Sequence, residues 1–280
     1  MKFIVLLFTV LLQKQTKQQG YKRKRTWFSR LSSFFKANEK GLSGQVVAFA
    51  CLVIVPGLVV GLFIDSLNGL LGNLLALLLQ VVLLLYILGR DDFSQRFEAY
   101  KACWARADYQ GAFECASGFL GIKDSEHAKN PCQLHQAVSK AVIYAWFLRF
   151  FVFIFWYLAV GVGGAFATLL SYWFYREFKY EWAKSVVGAI EWLPSRLLAL
   201  TTALAGDFTH SFPQALKFML DFQTPANEVL SKTVFPELTP EDKFDCDSAD
   251  DLLQETNQLM FRSAVIWLLL VAVLTVFAGF

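Results

Sequence analysis

The sequence is short of charge. Asp, Glu, Lys and Arg make up 18% of its 280 residues, against about 25% in ordinary soluble domains, so a fully solvated surface is excluded for much of the chain. Compact signatures of common chemistry are also missing. No G-x-x-x-x-G-K-[ST] phosphate loop, G-x-G-x-x-G dinucleotide turn, H-E-x-x-H zinc motif or G-x-S-x-G nucleophile elbow occurs. The five cysteines, at 51, 103, 115, 132 and 246, form no C-x-x-C pair. Cys115, His127, Cys132 and His135 are soft enough to ligate zinc, but their spacing matches no compact zinc module. No catalytic residue, metal or cofactor is expected.

What the chain has in abundance is apolar surface. Hydrophobic residues are 56% of the sequence and aromatics 16%, with 28 Phe and 8 Trp. Four runs carry no charge: Val46 to Ile64, Leu67 to Leu88, Phe150 to Trp173 and Ser263 to Phe280. Each approaches the roughly 20 residues that a bilayer-spanning helix needs. Backbone groups in hydrocarbon must be satisfied within the segment, so these runs are helices. Asp65 and Ser66 form the turn between the first two. The opening stretch, MKFIVLLFTVLL, has no small-residue cleavage site after it and reaches only about 18 Å at 1.5 Å per residue. It is expected to be retained as an interfacial or half-buried helix. The fold class is therefore all-α and polytopic: about four transmembrane helices, a short N-terminal apolar helix and two amphipathic helical loops.

Charge orients this arrangement. From Gln13 to Lys40 the chain carries nine Lys or Arg, including Lys22, Arg23, Lys24 and Arg25, against Glu39 alone, which predicts a cytoplasmic segment. With Trp27, Phe28, Phe34 and Phe35 interleaved, its partner is the lipid interface and no nucleic acid is expected. The expected organisation is residues 1–40 as apolar helix and basic segment, 41–88 as a membrane hairpin, and 89–140 as a cytoplasmic helical loop. Cys103, Cys115 and Cys132 lie in that loop, where thiols stay reduced. Residues 141–222 follow as a membrane-associated core, 223–262 as an acidic loop and 263–280 as the last membrane helix. The side occupied by residues 174–262 depends on whether the chain crosses once after residue 141 or reverses at Gly161, Gly163 and Gly164.

Polar residues beside membrane segments must have their desolvation compensated. Arg149 directly precedes the run FFVFIFW, where it reads as a snorkelling anchor or an anion contact. Gly57 and Gly61 form a small-xxx-small pair that lets helix backbones approach closely. In EWLPSRLLALTTALAG (191–206), Pro194 is expected to sit in the first turn of a new helix. Arg196 then falls near a helix start, where a cation is unfavourable, so it needs a fixed carboxylate or carbonyl partner. His210 reads as a loop or helix-start residue.

That stretch resembles the W-[VIL]-P-x-R-L segment shared by the AmpE family and the adenosylcobinamide-phosphate synthases of the CobD/CbiB type, and FIFWYLAVGVGG resembles their P-L-F-W…G-G segment. The synthase resemblance would require E-N-x-x-D-G before the F-W pair and N-T-x-D-S after the glycines. Here those stretches read YAWFLRFF (144–151) and LLSYWFYREF (169–178). Carboxylates suited to Mg²⁺ and phosphate are replaced, and Arg149 stands where an acid would. The chain therefore resembles AmpE.

The resemblance implies a multi-pass protein of the bacterial inner membrane, tied to β-lactamase induction, that regulates rather than catalyses. A small anionic molecule (a cell-wall fragment or nucleotide) or a protein of the same pathway is its expected partner. Arg149, Glu191 and Arg196 are the hypothetical ligand-binding residues. Gly57, Gly61, Gly161, Gly163, Gly164 and Pro194 are expected in turns and packing. The alternative is a membrane-bound ligase or transferase related to the synthases.

Overall fold

A computed structural model describes residues 2–15, 26–38, 41–89, 92–120, 131–235 and 249–278. Lys22, Arg23, Lys24, Arg25, His127 and Cys246 lie outside them, as does most of the acidic run between residues 236 and 248. Every regular element among the described residues is helical. In chain order these are α1 (Lys2–Gln15), α2 (Thr26–Asn38), α3 (Gly41–Phe49), α4 (Val55–Asp65), α5 (Gly69–Ile87), α6 (Asp92–Trp104) and α7 (Tyr109–Leu120). They continue with α8 (Pro131–Trp146), α9 (Val152–Val160), α10 (Val162–Phe178), α11 (Glu181–Ala205), α12 (Phe208–Phe218), α13 (Ala226–Val234) and α14 (Ala249–Ala278). π-Helical turns, Ala50–Ile54 and Phe147–Phe151, join α3 to α4 and α8 to α9.

The chain divides into two compact units. The first comprises residues 1–89, 150–191 and 271–280, and the second residues 90–149 and 192–270.

In the first unit, Gly41–Asp65 runs as one apolar stretch of 25 residues, long enough to cross a membrane. Ser66 closes it: its hydroxyl donates to Phe63 O at 2.7 Å and its amide to Leu62 O at 2.9 Å. Gly69, at φ +84°, then opens α5 in a backbone conformation that side-chain-bearing residues avoid. α5 runs for 19 residues, Gly69–Ile87, within the uncharged run of the sequence. α1 packs on α5, burying Val5, Leu6 and Thr9 while Leu7, Phe8 and Leu11 stay exposed. It is half-buried against an apolar helix.

The third expected span, Phe150 to Trp173, is not one helix. Gly161, at φ +93°, ends α9 by donating to Tyr157 O at 2.9 Å and also precedes α10. Only glycine adopts that conformation without strain, and absence of charge carries no information about it. The helix long and apolar enough to cross is Ala137–Val160, which starts well before the uncharged run. α10 folds back and packs against α4, α5 and α9. It buries residues all round, among them Val162, Phe166, Thr168, Leu170 and Phe174, as expected for the central helix of a bundle.

Glycines allow that burial. A Cβ on Gly163 would lie 2.5 Å from Gly57 O, and one on Gly57 would lie 2.8 Å from the Cβ of Ala167. Gly61 has ordinary contact with Gly163 Cα, at 3.7 Å. The small pair in α4 thus faces a small pair in α10. Gly164 instead abuts Val160 and Trp156 O of its own hairpin.

In the second unit, α6, α7 and α8 surround Phe97, Tyr100, Ala112, Ala116, Leu134, Val138 and Val142. Leu253 of α14 completes this core, so the polar loop 89–140 shares its interior with the start of the last helix. That helix is continuous from Ala249 to Ala278, with Leu253–Thr275 apolar enough to span. The span thus begins inside the expected acidic loop. α13 packs against α8 and α12. Three helices in all are long and apolar enough to cross a membrane among the described residues, with Leu71–Ile87 as a shorter apolar companion.

Candidate functional site

Pro194 does not begin a helix. It lies inside α11, which runs unbroken for 25 residues, so Arg196 is mid-helix and exempt from the first-turn penalty. A proline there removes the amide that would bond the carbonyl four residues back, that of Ile190. Trp156 of α9 supplies the missing donor, its Nε1 reaching Ile190 O at 3.2 Å. The helix continues because a distant indole satisfies the carbonyl that proline leaves open.

One face of the same helix grips a loop in the second unit. Trp192 Nε1 donates to Asp221 O at 3.1 Å, and Arg196 Nη2 donates to the same oxygen at 2.7 Å and to Thr224 O at 2.8 Å. Residues four apart share a helix face, which is why the tryptophan and the arginine converge on one carbonyl. Ser195 Oγ accepts from Arg196 Nη1 at 2.9 Å and donates back to Trp192 O at 2.9 Å. The guanidinium lies 5.5 Å from the Trp192 ring centroid, and that ring stacks on Phe222 at 4.4 Å with 5° between planes. Arg196 is 2% exposed. Burial lowers its pKa and the Asp221 carboxylate partly restores it; an arginine stays charged. The partner that the sequence required is thus a pair of backbone carbonyls.

The gripped loop is preorganised by its own chemistry. The Asp221 carboxylate accepts from the amides of Gln223 (2.7 Å) and Thr224 (3.3 Å) and from the Thr224 hydroxyl (2.5 Å). This is an Asx turn, and those hydrogen bonds, the hydroxyl's first, hold the Asp221 carboxyl below its ordinary range. Trp192, Ser195, Asp221 and Thr224 were absent from the sequence-derived site. The run D-F-Q-T-P (221–225) was the available signal, a turn-forming Asp followed by a proline that caps α13.

The three sequence-derived ligand residues do not share one compact unit: Arg149 and Arg196 belong to the second, Glu191 to the first. Arg149 sits half-buried in the π-helical turn Phe147–Phe151. Glu191 is 5% exposed and accepts from the Tyr172 hydroxyl at 2.9 Å. His210 lies in the first turn of α12, its Nδ1 2.6 Å from the capping Asp207, whose pKa this contact lowers. His135 is buried, with Nδ1 2.9 Å from the Tyr100 hydroxyl. No group of three metal-capable side chains occurs among the described residues.

The family model of the regulatory signalling modulator protein AmpE matches residues 4–280. The chain belongs to the AmpE family. Protein AmpE of Shigella flexneri is 23% identical over 216 residues, covering 72% of this chain and 75% of that protein. No solved structure matches. In this AmpE member, then, the W-L-P-S-R segment is an arginine clasp: Trp192 and Arg196 hold the carbonyl of a loop some 25 positions later, and Ser195 braces the guanidinium.

Proposed function

We propose that this chain is a regulatory protein of the bacterial inner membrane that modulates the response to β-lactam or cell-wall stress by binding, without catalysing a reaction. The observation that carries the reading is a match to a regulatory signalling modulator over residues 4–280, which takes in both compact units rather than one motif. Arg196 commits Nη1 and Nη2 to Ser195 and the loop carbonyls, so we assign it to holding the loop. Arg149 is assigned to the anionic ligand, a cell-wall fragment or nucleotide, or to a carboxylate of a protein partner. Glu191 orients Tyr172.

α6, α7, α12 and α13 belong to one compact unit, and the chain turns back at Gly161. Both features support placing residues 89–136 and 192–252 on one side of the bilayer, the cytoplasmic side by the charge of residues 13–40. The ligand or partner is then intracellular.

The test uses an inducible β-lactamase reporter strain without its own AmpE. Arg149→Ala, matched in membrane abundance to wild type, is expected to lose the induction response, with Arg149→Lys keeping part of it. A wild-type response from the alanine variant removes Arg149 from the reading. Purified protein given Mg²⁺ and nucleoside triphosphate is expected to show no turnover. Metal-dependent turnover would replace the binding role with the ligase or transferase alternative.

A further inference from the structure

The second unit has an open pocket of about 820 Å³ between α6, α8 and α14, separate from the clasp residues. One wall is a fixed aromatic surface. Tyr100 is fully buried, its hydroxyl on His135 Nδ1, and the Trp104 and His135 rings lie 4.4 Å apart. Phe97 stands beside them, and Phe261, 63% exposed, extends the apolar surface on α14.

Two cations line the same space, Lys101 on α6 and Arg262 on α14, and no acidic side chain among the described residues does. Lys101 Nζ is 5.1 Å from the Phe97 ring centroid, so its charge is carried along an aromatic face rather than against a carboxylate. Asn257 is already committed, accepting from Trp146 Nε1 and donating to Leu253 O. Gln254 and Gln258 are exposed and lie along the cavity. Aromatic walls with a few polar groups and a net positive rim suit an amphiphile with an anionic head.

The level of the cavity selects the source. Arg262 is the last charge of the chain before the uncharged run from Ser263 onward and lies in the first half of the candidate span Leu253–Thr275, so its long side chain reaches back toward the interface. Basic side chains at the end of such a run mark the interface, where lipid phosphates reside. We propose that this cavity binds an acidic phospholipid, its phosphate met by Lys101 and Arg262 and an acyl chain laid along Phe97, Trp104 and Phe261. The site goes beyond the regulatory reading and does not depend on it.

The full chain, purified in detergent and delipidated, can be titrated with dioleoyl phosphatidylglycerol and dioleoyl phosphatidylcholine and followed by native mass spectrometry. Roughly tenfold tighter binding of phosphatidylglycerol is expected, about 1.4 kcal/mol. Lys101→Ala/Arg262→Ala should remove that preference, and Lys101→Arg/Arg262→Lys should keep it. Ala105→Trp, which fills the cavity without touching either charge, should weaken both lipids and serves if the double variant is poorly expressed. Equal affinity for the two lipids overturns the proposal, as does a preference that survives the double alanine variant. Binding of inorganic phosphate or AMP to these residues with no lipid preference also overturns it, leaving a soluble anion as the occupant.

Discussion

Arg196 shows how a costly residue is kept in a buried position. Its guanidinium is out of water yet meets no carboxylate directly; the Asp221 and Thr224 carbonyls accept from Nη2, the Ser195 hydroxyl and, at 3.5 Å, the Trp192 carbonyl accept from Nη1, and the buried Nε has no hydrogen-bond partner among the described residues. Hydrogen bonds to charged groups contribute about 1.5–3 kcal/mol each, so Arg196→Ala is expected to destabilise the protein by about 2 kcal/mol or more. Thermal unfolding in detergent measures this, and an unchanged midpoint would contradict the clasp. Arg196→Lys should recover only part, because one ammonium nitrogen can take the place of Nη2 on the Asp221 and Thr224 carbonyls but not also that of Nη1 on Ser195. Asp221 adds a dependence on pH. Its carboxyl is held below the ordinary value near 4, so its contribution is complete above that value and disappears as pH falls through the lower folded one. Melting curves between about pH 6 and pH 3 should show an acid-side loss that Asp221→Asn lacks. The sequence asked for a fixed partner at Arg196 on a premise that does not hold, a place in the first turn of a helix; burial at mid-helix is what makes one necessary. The partner itself was not legible, since a backbone carbonyl has no residue type to search for.

At the scale of elements, uncharged length located apolar helices but misplaced two boundaries, for opposite reasons. Phe150 to Trp173 passes the length test as one span because a glycine is as uncharged as a leucine; a reversal at Gly161, Gly163 and Gly164 was the open alternative, and Gly161 at φ +93° does end one helix and precede the next. EWLP reads as a break because proline withdraws a donor, yet Trp156, 34 positions earlier than Ile190, replaces it. Trp156→Phe should leave that carbonyl unmet and cost about 1–3 kcal/mol, whereas in a Pro194→Ala background the restored helical amide should absorb most of the loss. A double-mutant cycle on unfolding free energy tests the coupling, and strict additivity would argue against it. The packing glycines can be ranked as well. Gly163→Ala must displace Gly57 O and is expected to cost about 1–3 kcal/mol, while Gly61→Ala, with its nearest contact at 3.7 Å, should be nearly neutral. Comparable midpoints for the two variants would mean that α4 and α10 do not depend on this close approach.

At the scale of the whole molecule, class and membrane character were legible because composition reports the solvent directly. Division of the chain was less so: Leu253, from the far end of the sequence, completes a core formed by residues 97 to 142, and only folding reveals such a partnership. The topology that follows is testable with Cys246 as the sole retained cysteine. A membrane-impermeant maleimide is expected to label it only after spheroplasts are lysed. Labelling of intact cells would place residues 236–248 outside the cytoplasm and favour direct contact with the cell wall.

The stacking of Trp192 on Phe222 beneath the Arg196 guanidinium also furnishes an internal optical gauge. An indole that spans a helix and the loop it grips changes its emission when the two part, so comparison of the protein with a Trp192→Phe variant reports the closed fraction without any attached dye. A ligand that engages the clasp can therefore be detected by whether it shifts that signal, before its identity is known.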